Sequence, residues 1–222
     1  MKIFIDTGSL KEIEALVPLG IIDGITTNPT LLAKESGDYR EILKKICRTV
    51  QGPTSAEVTA TDTDGMLRQG RDLASIDEHI VVKVPFTRDG VQACKTLSKE
   101  GIRVNVTLVF SPTQALLAAK VGASYVSPFV GRLDDIATSG MEVVQEIVEI
   151  FDNYDFPTEV LVASVRHPIH VVQAARLGAD ICTCPAAVID AMFKHPLTDI
   201  GLEKFLKDWE KAHAALASSS RG

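Results

Sequence analysis

Residues 80–129 read IVVKVPFTRDGVQACKTLSKEGIRVNVTLVFSPTQALLAAKVGASYVSPF, and the order of patterns in this stretch decides the fold. Three short runs rich in Val and Ile stand at Ile80–Pro85, Arg103–Val109 and Tyr125–Phe129. The two segments between them are longer and space their apolar residues as an amphipathic helix does. A short apolar run of this kind is typical of a strand buried on both faces. The stretch therefore predicts parallel strands joined by right-handed helical crossovers.

The same alternation continues toward both ends of the chain. Five more short runs raise the number of predicted strands to eight: Lys2–Asp6, Gly24–Asn28, Ser55–Thr59, Val160–Val165 and Asp180–Thr183. Helix signals lie between the runs, such as Ser111-Pro112 at a start and Gly178 at an end. Eight such units favour a closed (β/α)₈ barrel over an open sheet. No glycine-rich phosphate-binding motif follows any run, which argues against a nucleotide-binding open sheet.

We interpret residues 1–222 as one barrel domain with an appended helix. Pro185–His195 is the expected last helix of the barrel, and Thr198–Leu216 is the additional one. The additional helix carries a stripe of apolar residues at helical spacing: Leu202, Phe205, Leu206, Trp209, Ala212 and Leu216. Such a stripe needs a partner surface, and both the chain's own barrel and a neighbouring subunit are candidates.

Composition excludes several classes of partner. The net charge of −6 and the pI near 5.4 argue against nucleic acid, which selects a basic surface. No apolar run approaches the roughly 20 residues that span a bilayer, and no signal peptide is recognised, so we expect no membrane association and a cytoplasmic protein. The four cysteines lack disulfide spacing, and His167-x-x-His170 lacks further ligands. We therefore expect no metal and no cofactor.

Polar residues interrupt most of the predicted strands near their carboxyl ends. They are Asp6, Thr26, Asn28, Glu57, Lys83, Asn105, Thr107, Ser127, Ser164 and the following Arg166. Residues two apart on a strand face the same way, so Thr26 is expected to share a face with Asn28, and Ser164 with Arg166. In a (β/α)₈ barrel the carboxyl end is where active sites form. A buried polar network with loop caps is the structural alternative for any single Ser, Thr or Asn.

The three ionisable residues Asp6, Glu57 and Lys83 need a stronger reason, because burying one unpaired charge costs several kcal/mol. A structural cluster of ion pairs is one explanation. The other is chemical, since Lys83 lies between Val82 and Val84, where desolvation favours the neutral amine. A neutral amine can condense with a ketone, and the resulting iminium is an electron sink for carbon–carbon cleavage. Glu57 and Asp6 are candidates for the accompanying proton transfers.

Seven segments together resemble one known family. They are Phe4-Ile5-Asp6-Thr7, Thr26-Thr27-Asn28-Pro29-Thr30, Glu57-Val58, Val82-Lys83-Val84-Pro85, Asn105-Val106-Thr107-Leu108-Val109-Phe110-Ser111, Ser127-Pro128-Phe129-Val130-Gly131-Arg132 and Ala163-Ser164-Val165-Arg166. In this order they are similar to the transaldolases, and most similar to the small single-barrel subfamily that also contains fructose-6-phosphate aldolases. The resemblance runs along nearly the whole chain.

This resemblance implies a role for each residue. Lys83 would be the Schiff-base nucleophile, Asp6 would take the proton of the C4 hydroxyl, and Glu57 would act with Thr107 and a water during imine formation. Asn28 and Asn105 would hold the dihydroxyacetone part, with Ser127 nearby, and Arg132, Ser164 and Arg166 would bind the phosphate. Thr26 and Phe129 would be further substrate-binding residues.

The implied reaction converts sedoheptulose 7-phosphate and glyceraldehyde 3-phosphate to erythrose 4-phosphate and fructose 6-phosphate, in the pentose phosphate pathway. Fructose-6-phosphate aldolase is the alternative activity, but the aldolases resemble one another in having Gln and Tyr where this chain has Glu57 and Phe129. A barrel that only binds sugar phosphates or serves as a scaffold is the alternative from another class. The resemblance also implies sugar-phosphate substrates and a homo-oligomer, a pentamer or decamer.

Overall fold

The computed structural model describes the backbone of residues 1–219 and the side chains of residues 1–213. Eight parallel strands pair in chain order and close into a barrel, because the last strand pairs with the first. The strands are β1 (Lys2–Asp6), β2 (Gly24–Thr26), β3 (Thr54–Glu57), β4 (Ile80–Pro85), β5 (Val104–Val109), β6 (Tyr125–Pro128), β7 (Glu159–Val162) and β8 (Ile181–Cys184). The predicted (β/α)₈ barrel is confirmed.

Helices surround the barrel and fill the connections between strands. They are α1 (Leu10–Leu16), α2 (Pro29–Leu32), α3 (Tyr39–Val50), α4 (Thr63–Ala74), α5 (Arg88–Lys99), α6 (Pro112–Lys120), α7 (Val130–Asp134), α8 (Gly140–Asn153), α9 (Pro168–Leu177), α10 (Ala186–Met192) and α11 (Pro196–Ser219). The predicted helix signals act as expected at two sites. Ser111 caps α6 by accepting from the backbone N–H of Gln114, and Gly178 ends α9 in the left-handed conformation. Within residues 1–219, no helix is long and apolar enough to cross a membrane.

Four strands, β2, β3, β6 and β7, end earlier than the sequence predicts, and in two of them a rim residue accounts for the early end. Strand β2 stops at Thr26, because Asn28 turns out of the strand and caps α2, accepting from the backbone N–H of Leu31. Strand β7 stops at Val162, because Ser164 has a φ of 60° and breaks the extended backbone. Asn28 and Ser164 are therefore loop residues at the rim of the barrel rather than strand residues.

The core has two parts with different compositions. Outside the sheet, the outward-facing strand residues pack against the helices in one continuous apolar cluster. Inside the barrel, a smaller apolar cluster is built around Phe4, Val81, Tyr125, Leu161 and Ile181. Phe4, Val81, Tyr125 and Ile181 each lie two positions before a polar residue that faces the same way, as Phe4 does before Asp6, so this apolar plug lies on the amino side of the polar groups. The inward positions nearer the carboxyl ends are left for polar side chains.

The final helices differ from the predicted ranges. The expected last barrel helix, Pro185–His195, is the shorter α10, and the appended helix, Thr198–Leu216, is the longer α11. The apolar stripe of α11 is exposed, with Phe205 at 71% and Trp209 at 66% exposure. The side chain of Leu216 lies outside the described residues. The described part of the stripe therefore does not pack on its own barrel.

Candidate active site

A cavity of about 200 Å³ opens at the carboxyl end of the barrel. Nine of the twelve residues predicted for the site line it: Asp6, Thr26, Asn28, Lys83, Ser127, Phe129, Arg132, Ser164 and Arg166. The remaining three, Glu57, Asn105 and Thr107, are not in its wall. A larger cavity of about 580 Å³ lies on the other side of β3, bounded by α2, α3 and α4. We place the candidate site in the smaller cavity, because the lysine and both arginines line it.

Lys83 lies at the bottom of this cavity and is 5% exposed. Its Nζ is 3.1 Å from Oε2 of Glu57 and donates to the carbonyl oxygen of Thr27 at 3.2 Å. The ion pair follows from strand register, since Glu57 of β3 is paired with Lys83 of β4. Side chains at paired positions of neighbouring strands point the same way and lie close together. A proton can therefore pass directly between this amine and this carboxylate.

Asp6 is held in place by a short chain of hydroxyl groups. Thr26 donates from Oγ1 to Oδ1 of Asp6 at 2.8 Å, and Oγ1 of Thr183 is 2.7 Å from Oγ1 of Thr26. Because Thr26 has one hydroxyl proton, Thr183 is the donor of the second bond. Burial raises the pKa of Asp6, while the bond from Thr26 and the charge of Lys83 act in the opposite direction. A carboxyl group with a raised pKa suits general acid–base chemistry.

A buried network lies behind the lysine. The side chain of Asn105 is fully buried, and it donates to Oγ of Ser55 at 3.2 Å and accepts from Oγ of Ser127 at 2.7 Å. Nearby, Oγ1 of Thr107 is buried without a hydrogen-bond partner among the described residues. An unsatisfied buried hydroxyl costs about 1–3 kcal/mol, and such groups recur at functional sites. Leu108, the next residue, has a φ of 58° at an irregularity in the pairing of β5 with β6.

Two arginines stand at the mouth of the cavity. Arg132 is on α7, and its guanidinium carbon is 5.3 Å from the centre of the Phe129 ring. Arg166 follows β7, and its guanidinium donates to Oδ2 of Asp135 at 2.8 Å. Two guanidinium groups on one cavity form a suitable site for a phosphate, which matches their planar array of donors.

The sequence reading missed two participants in the interior network, Thr183 and Ser55. Both were visible in the strand alternation, because Ser55 precedes Glu57 by two residues and Thr183 faces inward between two outward cysteines. The participation of the Thr27 carbonyl oxygen had no sequence signal, since any residue carries that group.

These features define the class of the protein. A closed (β/α)₈ barrel gathers a lysine, two carboxylates and two arginines at the carboxyl ends of its strands, which is where enzymes with this fold bind and convert substrates. Comparison with known proteins then gives the family.

The sequence model of the transaldolase/fructose-6-phosphate aldolase family matches residues 3–216. A probable transaldolase of Petrotoga mobilis is 56% identical over 99% of this chain and 100% of its own length. A probable transaldolase of Aquifex aeolicus is 59% identical over 95% of this chain and 97% of its own length. The chain belongs to the transaldolase/fructose-6-phosphate aldolase family, and the resemblance found in its motifs is confirmed.

Solved structures agree on the fold. The 3-hexulose-6-phosphate synthase of Salmonella typhimurium superimposes with a TM-score of 0.66 at 19% identity, covering 86% of this chain and 92% of that protein. The thiamine phosphate pyrophosphorylase of Pyrococcus furiosus gives a TM-score of 0.59 at 17% identity, covering 84% and 86%. At these identities the likeness is one of architecture.

The raised pKa of Asp6 predicts an effect on stability. A carboxyl group with a raised folded-state pKa stabilises the fold at low pH, and this contribution is lost as the pH rises through that pKa. Asp6→Asn stays neutral and can still accept from Thr26. We expect the free energy of unfolding at pH 8, measured with urea, to increase by about 1 kcal/mol. The gain should shrink as the pH falls.

The same change at the exposed Asp152 is the control, and it should alter stability by less than about 0.5 kcal/mol. An Asp6→Asn protein that is less stable than the parent at pH 8 would contradict the argument. It would mean that the Asp6 carboxylate is needed to neutralise Lys83.

Proposed function

We propose that this protein is a transaldolase that transfers a dihydroxyacetone unit from a ketose phosphate to an aldose phosphate through a Schiff base on Lys83. The observation that carries the proposal is the buried ion pair of Lys83 with Glu57 beside the cavity that Asp6 and two arginines also line. The names of the relatives support it. The proposed reaction converts sedoheptulose 7-phosphate and glyceraldehyde 3-phosphate to erythrose 4-phosphate and fructose 6-phosphate in the pentose phosphate pathway. The proposed compartment is the cytoplasm.

The first step needs a neutral amine. Glu57 is 3.1 Å from Nζ of Lys83, and accepting the ammonium proton leaves the nitrogen lone pair free to attack C2 of the ketose. The carbinolamine then loses its oxygen as water, and Glu57 is placed to return the proton that this step consumes. The buried hydroxyl of Thr107, which has no partner among the described residues, is proposed as a further polar group in this step.

The second step breaks the C3–C4 bond. Asp6 takes the proton of the C4 hydroxyl, the C4 oxygen becomes the carbonyl of the departing aldose phosphate, and the electrons of the broken bond pass into the iminium to give an enamine. The enamine carbon then attacks the aldehyde of the acceptor, and Asp6 returns its proton to the new hydroxyl. Hydrolysis of the iminium releases the product ketose and regenerates Lys83.

Substrate binding divides between the floor and the mouth of the cavity. Asn28 uses its side-chain oxygen to cap α2, so its amide N–H groups remain to donate to the hydroxyls of the dihydroxyacetone part. Asn105 and Ser127 are already bonded to each other and support this end. Arg132 and Arg166 are proposed to bind the phosphate, with Ser164 between the strand end and Arg166.

Trapping tests the Schiff base. Borohydride added with fructose 6-phosphate should reduce the iminium and add a sugar fragment to the peptide that contains Lys83, as read by mass spectrometry. Lys83→Arg should lose turnover by more than about 1000-fold, because a guanidinium stays charged and does not condense with a ketone. Labelling at the exposed Lys95 or Lys120 instead would refute the assignment.

Transfer is distinguished from aldol release by measuring products. Fructose 6-phosphate with erythrose 4-phosphate should give sedoheptulose 7-phosphate, and free dihydroxyacetone should appear only slowly when no acceptor is present. Glu57 and Phe129 motivate this expectation, because the aldolases have Gln and Tyr at these positions. A carboxylate and a phenyl ring transfer protons differently from an amide and a phenol. Phe129→Tyr should shift the ratio toward release. Rapid release by the parent protein would support fructose-6-phosphate aldolase.

We further propose that a second copy of this chain covers the exposed stripe of α11, giving a pentamer or a decamer. The stripe presents Leu202, Phe205, Leu206 and Trp209 to solvent, each more than half exposed. Contiguous apolar surface of this kind marks an interaction site. When every copy gives the same helix to its neighbour, the contact can close into a symmetric ring without another partner.

The helix is tested by comparing two double variants. Phe205→Ala with Trp209→Ala removes the two aromatic side chains of the stripe, and Lys207→Ala with Lys211→Ala shortens two side chains on the opposite face. Sedimentation should show smaller species for the first variant and the parent mass for the second. A chain ending at His195 should behave like the first. If all of these keep the parent mass, α11 does not join subunits.

A further inference from the structure

His170 connects the two segments that carry the arginines at the cavity mouth. It lies in the first turn of α9 and is 4% exposed. Its Nδ1 accepts a hydrogen bond from the backbone N–H of Arg166 at 3.3 Å. On the other side of the ring, Nε2 is 2.9 Å from Oδ2 of Asp134. Neither nitrogen of this buried ring is left without a partner.

The bond to Arg166 follows from the position of His170 in its helix. His170 is the third residue of α9, and at this position Glu or Gln commonly reaches back to a backbone N–H that precedes the helix. Here the imidazole makes the backward bond, while the side chain of His167, the N-cap residue, makes no cap bond. The loop between β7 and α9 is therefore anchored through His170.

The bond to Asp134 extends the connection to the other arginine. Asp134 is the last residue of α7, two residues after Arg132, and its Oδ1 also accepts from the backbone N–H of Gly140 at 3.0 Å. The two segments are in close contact elsewhere as well. A Cβ atom on Gly131 would lie 2.2 Å from the carbonyl oxygen of Ser164. There is little room for one segment to shift without moving the other.

These bonds define the tautomer of the ring. A backbone N–H can only donate, so Nδ1 must keep its lone pair, and Nε2 must carry the proton that is donated to Asp134. The charged and titratable groups around the ring are His167, whose ring centre is 3.9 Å away, Asp134 and Arg166. Burial, followed by the charge of His167, lowers the pKa of His170, and Asp134 opposes this. The neutral ring required by the geometry is thus the favoured form.

We propose that His170 is a positioning residue for phosphate binding: its Nε2–H tautomer anchors the backbone of Arg166 and, through Asp134, the end of the helix that carries Arg132. This inference rests on the proposed function in one respect, namely that both arginines bind the substrate phosphate. His170 itself does not line the cavity, and it acts through the separation and orientation of the two guanidinium groups.

A pH dependence follows from the same geometry. Protonation of His170 at Nδ1 would direct an N–H at the N–H of Arg166 and break the anchor. Because the pKa of His170 is lowered, the anchor is intact at neutral pH and is lost as the pH falls through that pKa. The substrate phosphate also changes charge near pH 6, so only a comparison with a variant that does not titrate isolates the contribution of His170.

Two substitutions at this position separate the roles. His170→Gln can keep both bonds, with its oxygen accepting from Arg166 and its amide N–H donating to Asp134, and it has no titrating group. His170→Leu keeps the bulk and loses both bonds. We expect His170→Leu to raise KM for fructose 6-phosphate about tenfold with kcat within about twofold, since the phosphate ligands lose their support while the reacting groups stay in place. His170→Gln should stay within about twofold of the parent at pH 8.

Titration of inorganic phosphate by calorimetry gives a readout that does not depend on turnover. His170→Leu should weaken phosphate binding by about the same factor as it raises KM, and Arg166→Ala marks the loss when one guanidinium is absent. As the pH is lowered, the parent should lose phosphate affinity faster than His170→Gln. Parallel pH profiles for these two proteins would overturn the positioning role.

Four other results would also decide whether His170 positions the phosphate ligands. If His170→Leu lowers the melting temperature but leaves KM and phosphate affinity unchanged, the histidine is only structural and the inference fails. It fails likewise if kcat falls equally for fructose 6-phosphate and for unphosphorylated fructose. If the parent protein does not trap fructose 6-phosphate but the phosphate titrations separate the variants as expected, the proposed function fails and the positioning role stands. A parent that binds no inorganic phosphate overturns the inference.

Discussion

The ion pair between Lys83 and Glu57 is the interaction on which the architecture of the site depends. The lysine is 5% exposed, and a buried cation is tolerated only with a partner and further hydrogen bonds. Parallel register supplies the partner, because it pairs the two residues on neighbouring strands, and the carbonyl oxygen of Thr27 supplies a further acceptor. A closed barrel makes this arrangement possible, since every strand has two neighbours and no edge admits water.

Residues that stabilise the barrel and residues proposed to react lie at different levels along the barrel axis. On the amino side of the polar groups, the apolar plug around Phe4 and Tyr125 provides a packed interior, and the helices cover the outside of the sheet. On the carboxyl side of the plug, the barrel interior carries a carboxyl group with a raised pKa, an amide network and the Thr107 hydroxyl, which has no partner among the described residues. Each of these costs stability, and the apolar end offsets that cost.

The sequence predicted the structure best where one repeating pattern extends over many residues. The alternation of short apolar runs with helical segments predicted eight strands, and both β1 and β4 have the predicted bounds. The polar residues that interrupt the apolar runs also indicated Asp6, Lys83 and Ser127, all of which line the cavity. The same reading named Ser164 together with Arg166, and both line the cavity, but it did not foresee the φ of 60° with which Ser164 leaves the strand. Nor did it identify His170, because a histidine on an apolar helix face carries no local sign of its two partners, which come from other elements.

The two ends of the candidate site are built from different kinds of structure, and the difference accounts for the role assigned to His170. The groups proposed to react, Lys83, Glu57 and Asp6, stand on strands whose ladders fix them. The proposed phosphate ligands, Arg132 and Arg166, stand on a five-residue helix and a loop, where no ladder fixes the backbone. Charged side chains bind a ligand less tightly when the backbone that carries them can move. The loop end of the site therefore needs a support of its own. The buried ring of His170, in contact with the backbone of Arg166 and with Asp134, provides it.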